Sequence, residues 1–373
     1  MIKRYFYVVV LFAVSVLFSA SLAGEDNTGA VKLKIGHVGH DHHLALFVAA
    51  DLAEQYSKKS GGITLKKIKD KKFYTLAKKG RKLADVEIIK VGGGSKMPTA
   101  LAQNIIDMGC GGIAPILCMI DKGAPIKLIS PLHSKGDMFV MAKDSPVNSW
   151  QDFVKLAKST KKPIRIGYKN ASSVAKIIFE DALKSEGITS STNTSDSNVQ
   201  VHLINVKGGG KLNISLANGV IDGYTGNNPF PAMGEAKGIL KVISNLEDLP
   251  PGRFKNHPCC GVAASNDAMN SKREAIEAIL ILMHNATETI NSDPETAAKI
   301  AARWIGTTVD IEKKSIPTSG YSMEPSAEWH RAMTVWCNAM NKLGIFTKSL
   351  KNLKEDELGK RAYDFSALPK SAE

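Results

Sequence analysis

The sequence predicts an α/β fold built as two equivalent lobes around a ligand cleft. Three observations carry this expectation. The stretch from Val91 to Gly111 returns without a gap as Val206 to Gly226, 115 residues later, with 9 of 21 positions identical. Its flanks repeat in the same order, Leu33–His37 matching Ile164–Tyr168 and Lys127–Leu132 matching Lys241–Leu246. Short apolar runs alternate with helical patterns across Gly-rich turns, which indicates parallel sheets wrapped by crossover helices. The repeat is too long for a solenoid, whose units run about 20–50 residues. A chain of 373 residues is long enough for two cores.

The elements follow in order. Lobe one opens with a strand over Val31–Val38, the polar turn Gly39–His43, and a helix over Leu44–Ser57 whose Leu44, Phe47, Val48 and Leu52 share a face. A strand over Val86–Val91 leads into a Gly-rich turn, and Ser95 is placed to cap a helix through Leu101 with Pro98 in its first turn. Ile105–Met108 reads as a short buried strand, Gly109–Gly112 as a turn, Ile113–Lys122 as a helix and Ile126–Ser130 as a strand. Lobe two begins with a crossing strand over Met138–Ala142 and a helix over Ser149–Lys158, and continues with the repeated blocks through Leu246. Ser190–Asn198 is wholly polar, an exposed loop. A strand over Pro258–Ser265 then returns the chain to lobe one, followed by helices over Ser271–Asn291, Pro294–Ile305 and Ser326–Leu343. The expected division is 1–23 as a leader, 24–136 with 258–373 as lobe I, and 137–257 as lobe II.

Residues 1–23 have the pattern of a secretory signal peptide. Lys3 and Arg4 precede an apolar run from Tyr5 to Phe18, and Ser21-Leu22-Ala23 supplies a small-x-small cleavage site. An uncleaved anchor is the competing reading, but the apolar run is shorter than the roughly 18 residues an anchor needs. The mature chain is therefore expected across the cytoplasmic membrane, in the periplasm or on an extracytoplasmic face.

The formal charge of +13 has a local origin. Residues 58–82 hold eleven Lys/Arg against the single Asp70, and the leader adds two more cations, which leaves the remainder at +1. That distribution argues against nucleic acid as a partner. The spacing from Gly36 to Val91 exceeds that from Gly167 to Val206 by 16 residues, so the lysines mark a surface insertion in lobe one. Such a segment reads as a solvated face or as a docking patch for an anionic surface. The five cysteines form no C-x-x-C pair, and the adjacent Cys259-Cys260 reads as small buried strand residues.

In open parallel sheets ligands bind beyond the carboxyl ends of the strands, where helix N-termini also point. The candidate ligand contacts are therefore His40, Asp41, His42, Ser95, Lys96, Gly111, Gly112 and His133 in lobe one. In lobe two they are Tyr168, Asn170, Ser172, Lys207, Tyr224, Asn227 and Asn228. The histidine turn is read as ligand hydrogen bonding or helix capping, with structural packing and a metal site as alternatives. Asp107 and Asp222 read as turn or cap chemistry rather than a catalytic pair. No nucleophile elbow, H-E-x-x-H or P-loop occurs, so the expectation is a site without a reaction, no cofactor and no metal.

These pieces resemble a type II periplasmic binding protein of an ABC importer, in the nitrate/sulfonate/bicarbonate (taurine-type) group. The resemblance rests on Leu101-Ala-x-x-Ile-Ile-Asp-Met-Gly, Ile166-Gly-Tyr168 and Leu216-Ala-x-Gly-x-Ile-Asp-Gly-Tyr-x-Gly-Asn-Asn-Pro229, and spans Leu33 to about Gly344. It implies two lobes, joined by two crossing segments near 131–136 and 256–258, that close on a small solute; the helix N-termini with Lys96 and Lys211 favour an anion, and a monomer is expected. It also implies delivery to a membrane permease driven by a separate ATPase. The basic insertion and the Gly-His-x-Gly-His-Asp-His-His turn depart from that pattern. Two other readings are an enzyme similar to thiamine-pyrimidine synthases on the same fold, which Cys259-Cys260 and the histidines resemble, and a ligand-sensing partner of a membrane receptor.

Overall fold

The computed structural model describes residues 29–369, so the expected leader lies outside the described residues. The strands are β1 (Val31–His37), β2 (Ile63–Lys69), β3 (Phe73–Lys78), β4 (Arg81–Lys90), β5 (Met108–Gly112), β6 (Ile126–Lys135), β7 (Asp137–Ala142), β8 (Ile164–Tyr168), β9 (Ser190–Ser191), β10 (Val201–Asn205), β11 (Gly223–Asn227), β12 (Leu240–Asn245), β13 (Pro258–Ser265) and β14 (Ser319–Tyr321). The α-helices are α1 (Leu44–Leu52), α2 (Lys96–Ala102), α3 (Ile113–Asp121), α4 (Trp150–Ser159), α5 (Val174–Ser185), α6 (Leu212–Ala217), α7 (Phe230–Ala236), α8 (Asn266–Ser271), α9 (Arg273–Ser292), α10 (Pro294–Ile305), α11 (Val309–Ser315), α12 (Ala327–Lys342) and α13 (Glu355–Ala362).

Among the described residues these strands form two sheets. One has the order β14-β6-β13-β5-β1-β4-β3-β2 and the other β12-β7-β11-β8-β10-β9. The five-strand centres match: β6-β13-β5-β1-β4 corresponds to β12-β7-β11-β8-β10. In each, a first strand pairs in parallel with two neighbours, β1 with β4 and β5, β8 with β10 and β11. In each, an antiparallel strand comes next, β13 against β5 and β7 against β11. The fold is therefore a doubled α/β unit of the periplasmic-binding-protein kind. The chain passes between the sheets at Gly136 and again before Pro258. Those two passages touch, since Lys135 N–H donates to the His257 carbonyl at 2.9 Å.

The repeated sequence letters are packing devices. Asp107 accepts from the Lys34 backbone N–H at 2.7 Å, and Asp222 accepts from that of Arg165 at 2.8 Å. Each carboxylate so satisfies a backbone donor of β1 or β8, and each has a cation beside it, Lys272 or Arg165. A Cβ on Gly36 would lie 2.4 Å from Ile106 Cδ1, and one on Gly167 would lie 2.5 Å from Ile221 Cδ1. A Cβ on Gly111 would meet Met97 of α2, and one on Gly226 would meet Leu212 of α6. The same helix-on-strand approach is therefore built twice.

Several expectations need correction. The strand expected at Ile105–Met108 begins at Met108, and Gly109–Gly112 belong to it instead of to a turn. Ile105 is 52% exposed, because the chain is still turning there. α1 stops at Leu52, with turns through Ser60. β4 starts at Arg81, well before Val86, because the basic insertion supplies β3 as a partner for it. The insertion is thus no free loop: β2 and β3 extend the first sheet, burying Ile63, Leu65, Tyr74 and Leu76 while their lysines face outward. Ser95 has helical dihedrals, and its side chain makes no capping bond. No described helix is long and apolar enough to cross a membrane.

Candidate functional site

Between the sheets lies a cleft with a volume of about 530 Å³, within the range of small-molecule sites. Its walls are the turns that follow strands of both sheets. The first sheet contributes Gly39 and His40 after β1, and Gly92 to Lys96 after β4. The second contributes Lys169 and Asn170 after β8, Lys207 to Gly210 after β10, and Asn227, Pro229 and Phe230 at and after the end of β11. The link from α10 to α11 adds Gly306 and Thr307 at the rim. Lys90, Lys96, Lys169 and Lys207 line the space, and among the described residues no Asp or Glu does. Phe230, Met233 and Ile305 make part of the wall apolar. Lys169 Nζ also donates to the Asn227 side-chain oxygen, which holds that ammonium toward the cleft.

Of the fifteen expected contacts, His40, Ser95, Lys96, Asn170, Lys207 and Asn227 border this space. Gly112 borders a narrow extension of its floor, along with Cys259, Cys260 and Pro115. The others stand apart from both. Tyr224 is fully buried in the second core, its hydroxyl donating to Asn213 Oδ1 at 2.8 Å. Tyr168 is buried beneath the Lys176 ammonium. Ser172 donates to Asn170 Oδ1 at 3.2 Å, and Asn228 bridges to Thr318 at 2.9 Å. Gly111 faces Met97. Asp41, His42 and His133 are buried behind the floor. Tyr224, expected among the ligand contacts, is thus a core residue, because a strand's alternate side chains point to opposite faces.

The histidine turn is almost wholly enclosed. His43 Nδ1 accepts from the Val38 N–H at 3.0 Å, which fixes its tautomer. Burial and the neighbouring His43 and Lys169 hold His40 well below the ordinary imidazole value, so it faces the cleft as a neutral ring. Burial lowers His37 as well, to about 3, where it packs edge-on against Phe47. Burial works against protonation of His42 too, but Cys260, Asp41 and Asp137 outweigh it and raise that ring.

Sequence reasoning missed Lys90, Lys169, Thr307 and the two floor cysteines. Lys169 had a usable signal, since it directly follows a repeated strand. Thr307 had none, lying outside the repeat.

A model of the NMT1-like family matches residues 26–306. The chain belongs to that family. The NMT1-like match covers both sheets' central strands and all the cleft turns up to Gly306. Over 134 residues, 36% of this chain, it is 35% identical to the uncharacterized protein MJ1180 of Methanocaldococcus jannaschii, covering 91% of that protein. Among solved structures it superposes on a zinc-bound ligand-binding component of an ABC-type import system from Staphylococcus aureus, with a TM-score of 0.70 and 16% identity. That match covers 92% of this chain and 99% of the other. The periplasmic nitrate-binding protein NrtA from Synechocystis PCC 6803 gives a TM-score of 0.66 at 13% identity, over 91% of this chain and 87% of that one. The alkanesulfonate-binding protein SsuA from Xanthomonas axonopodis pv. citri, bound to MOPS, gives 0.59 at 14% identity, over 85% and 94%. At these identities the likeness is one of fold.

Proposed function

We propose that this NMT1-like protein is the extracytoplasmic solute-binding component of an ABC importer. It closes on a small anion, performs no chemistry on it, and passes it to a membrane permease driven by a separate ATPase. Lobe I takes residues 24–136 and 258–373, lobe II takes 137–257, and residues 1–23 direct export. The observation that carries this reading is the cleft's charge: four lysines from both walls and, among the described residues, no carboxylate. An anion entering there exchanges water for ammonium groups, each such hydrogen bond contributing about 1.5–3 kcal/mol. The apolar Phe230, Met233 and Ile305 favour an anion with an organic body, a sulfonate or carboxylate, over bare nitrate or bicarbonate. His40, Ser95, Lys96, Lys169, Asn170, Lys207 and Asn227 are the assigned contacts. Asp41, His42, Gly111, Gly112, His133, Tyr168, Ser172, Tyr224 and Asn228 support them from behind.

The test is a thermal-shift screen of the mature protein against nitrate, bicarbonate, sulfonates and aromatic carboxylates. A ligand at about a hundred times its dissociation constant adds about 2.7 kcal/mol of stability. Lys169→Gln and Lys96→Gln should each weaken that ligand by about tenfold or more while the unliganded melting point stays put. If every anion is silent, or both variants keep full affinity, the anion reading falls.

A further inference from the structure

Three segments converge beneath the cleft floor: the turn at Asp41–His43, β6 and β13. His133 on β6 stands directly opposite Cys260 on β13, and the register shifts on both sides of Cys260. In a regular strand Cys259 and Cys260 would point to opposite faces. The irregularity re-aims them, as bulges do beside functional sites, and brings their sulfurs to 4.0 Å. Cys259 Sγ lies 3.4 Å from His42 Nδ1 and donates to Asp137 Oδ2 at 3.1 Å. His133 Nδ1 is 3.1 Å from the Ser134 carbonyl. Donating there leaves the lone pair on Nε2, which is buried without a partner. His42 and His133 are 0% and 3% exposed, and each cysteine is 3% exposed.

One donor atom from each of His42, His133, Cys259 and Cys260 lies within 4.8 Å of the other three. A tetrahedral zinc site, with bonds of about 2.0–2.3 Å, needs donor separations of roughly 3.3–3.8 Å, so a small contraction completes it. We propose that His42, His133, Cys259 and Cys260 bind one thiophilic divalent cation of the zinc class at the floor of the cleft. Two imidazoles and two sulfurs select such an ion over magnesium or calcium, which want oxygen. The Ser134 carbonyl orients the ring of His133 as outer partners of metal sites do, and Asp137, 3.6 Å from His257 Nε2, flanks Cys259. Cys259 and Cys260 also border the floor extension, which gives the ion a path from the cleft.

Binding displaces the thiol protons, since thiolates are the ligands. Burial resists ionisation of both cysteines. For Cys260 the hydrogen bonds from Cys259, His133 and His42 outweigh it, so this sulfur is the acidic one of the pair. Cys259 is pushed up by burial, by Cys260 and by Asp137, so its proton is the one that metal binding has to displace.

The experiment titrates reduced, chelator-stripped mature protein with Co²⁺, then displaces it with Zn²⁺. The expected result is one equivalent of cobalt with a thiolate charge-transfer band, the visible bands of tetrahedral cobalt, and proton release. Cys260→Ser and His133→Gln should each weaken binding by more than about 100-fold, beyond the 10–100-fold typical of outer partners. Cys337→Ser, in a cysteine remote from the set, should change nothing. If the variants do not fold, alkylation of the wild-type chain decides the matter: zinc must protect Cys259 and Cys260 and leave Cys118 as reactive as before. A titration without the thiolate band, or protection spread evenly over all cysteines, overturns the proposal. The site does not depend on which solute fills the cleft. An anion shift in stripped protein that shows no cobalt band would sink the metal site and leave the transport reading standing.

Discussion

Glu312 and Asp41 are both fully buried, one on α11 and the other in the histidine turn. Burial first, and the Asp41 charge second, raise the Glu312 carboxyl to about 8. The folded protein therefore holds a proton that an unfolded Glu releases near 4.5. Its stabilising contribution is complete below about 4.5 and is lost as the pH rises through about 8. Urea melts should show stability falling across that window. Glu312→Gln, which keeps a partner for Thr307, should flatten the slope, and an unchanged slope would mean the proton sits elsewhere. Gly36 offers a cleaner steric test. Gly36→Ala should cost about 1–3 kcal/mol by overpacking against Ile106. Ile106→Val removes the methyl that is struck, so the double variant should lose less than the two singles added together. Gly167 with Ile221 should behave alike.

The basic hairpin β2–β3 separates charge from packing within one element. Lys66 and Lys69 are exposed, whereas Leu76 is fully buried. Changing both lysines to Gln should move stability by no more than about 0.5 kcal/mol, while Leu76→Ala should cost about 2–5 kcal/mol in the same melts. The hairpin also shows where sequence reading stops. Its apolar residues alternate as a strand's do, yet the lysine density dominated and suggested only an outgrowth. Helices were easier to read: the expected Pro294–Ile305 coincides with α10, because Asp293 caps it and Gly306 ends it with a left-handed residue. β5 was misplaced because Gly109, Gly111 and Gly112 look like a turn, whereas they are strand glycines, of which Gly109 and Gly111 admit Met97 closely and Gly112 admits Pro115.

At the scale of the whole molecule, the doubled architecture was written in the repeat, since both copies keep the Asp–backbone bond and the Gly–Ile contact. The cleft was only half legible. Its turns could be counted from strand ends, but strand alternation sent Tyr224 inward, and the meeting of His133 with Cys260 depends on a register irregularity that no spacing rule reveals. Gly136 is the position on which motion between the sheets should turn. It has φ of 84°, in the left-handed region, and a Cβ there would strike Ser319 Oγ and His42 Nε2. Gly136→Ala should lower ligand affinity without touching the cleft, and small-angle scattering should show a smaller compaction on ligand addition than in the parent. The bond between Lys135 and His257 has a mechanical meaning as well. Both described chain ends belong to the first sheet's side, with Tyr363 bridged to Leu128. A pull on those ends loads the first sheet and passes across the neck at 135–257, so the second sheet hangs outside the line of force. Residues 137–257 should stay folded until the neck tears, then pay out as a separate step of roughly 400 Å at about 3.3–3.6 Å per residue.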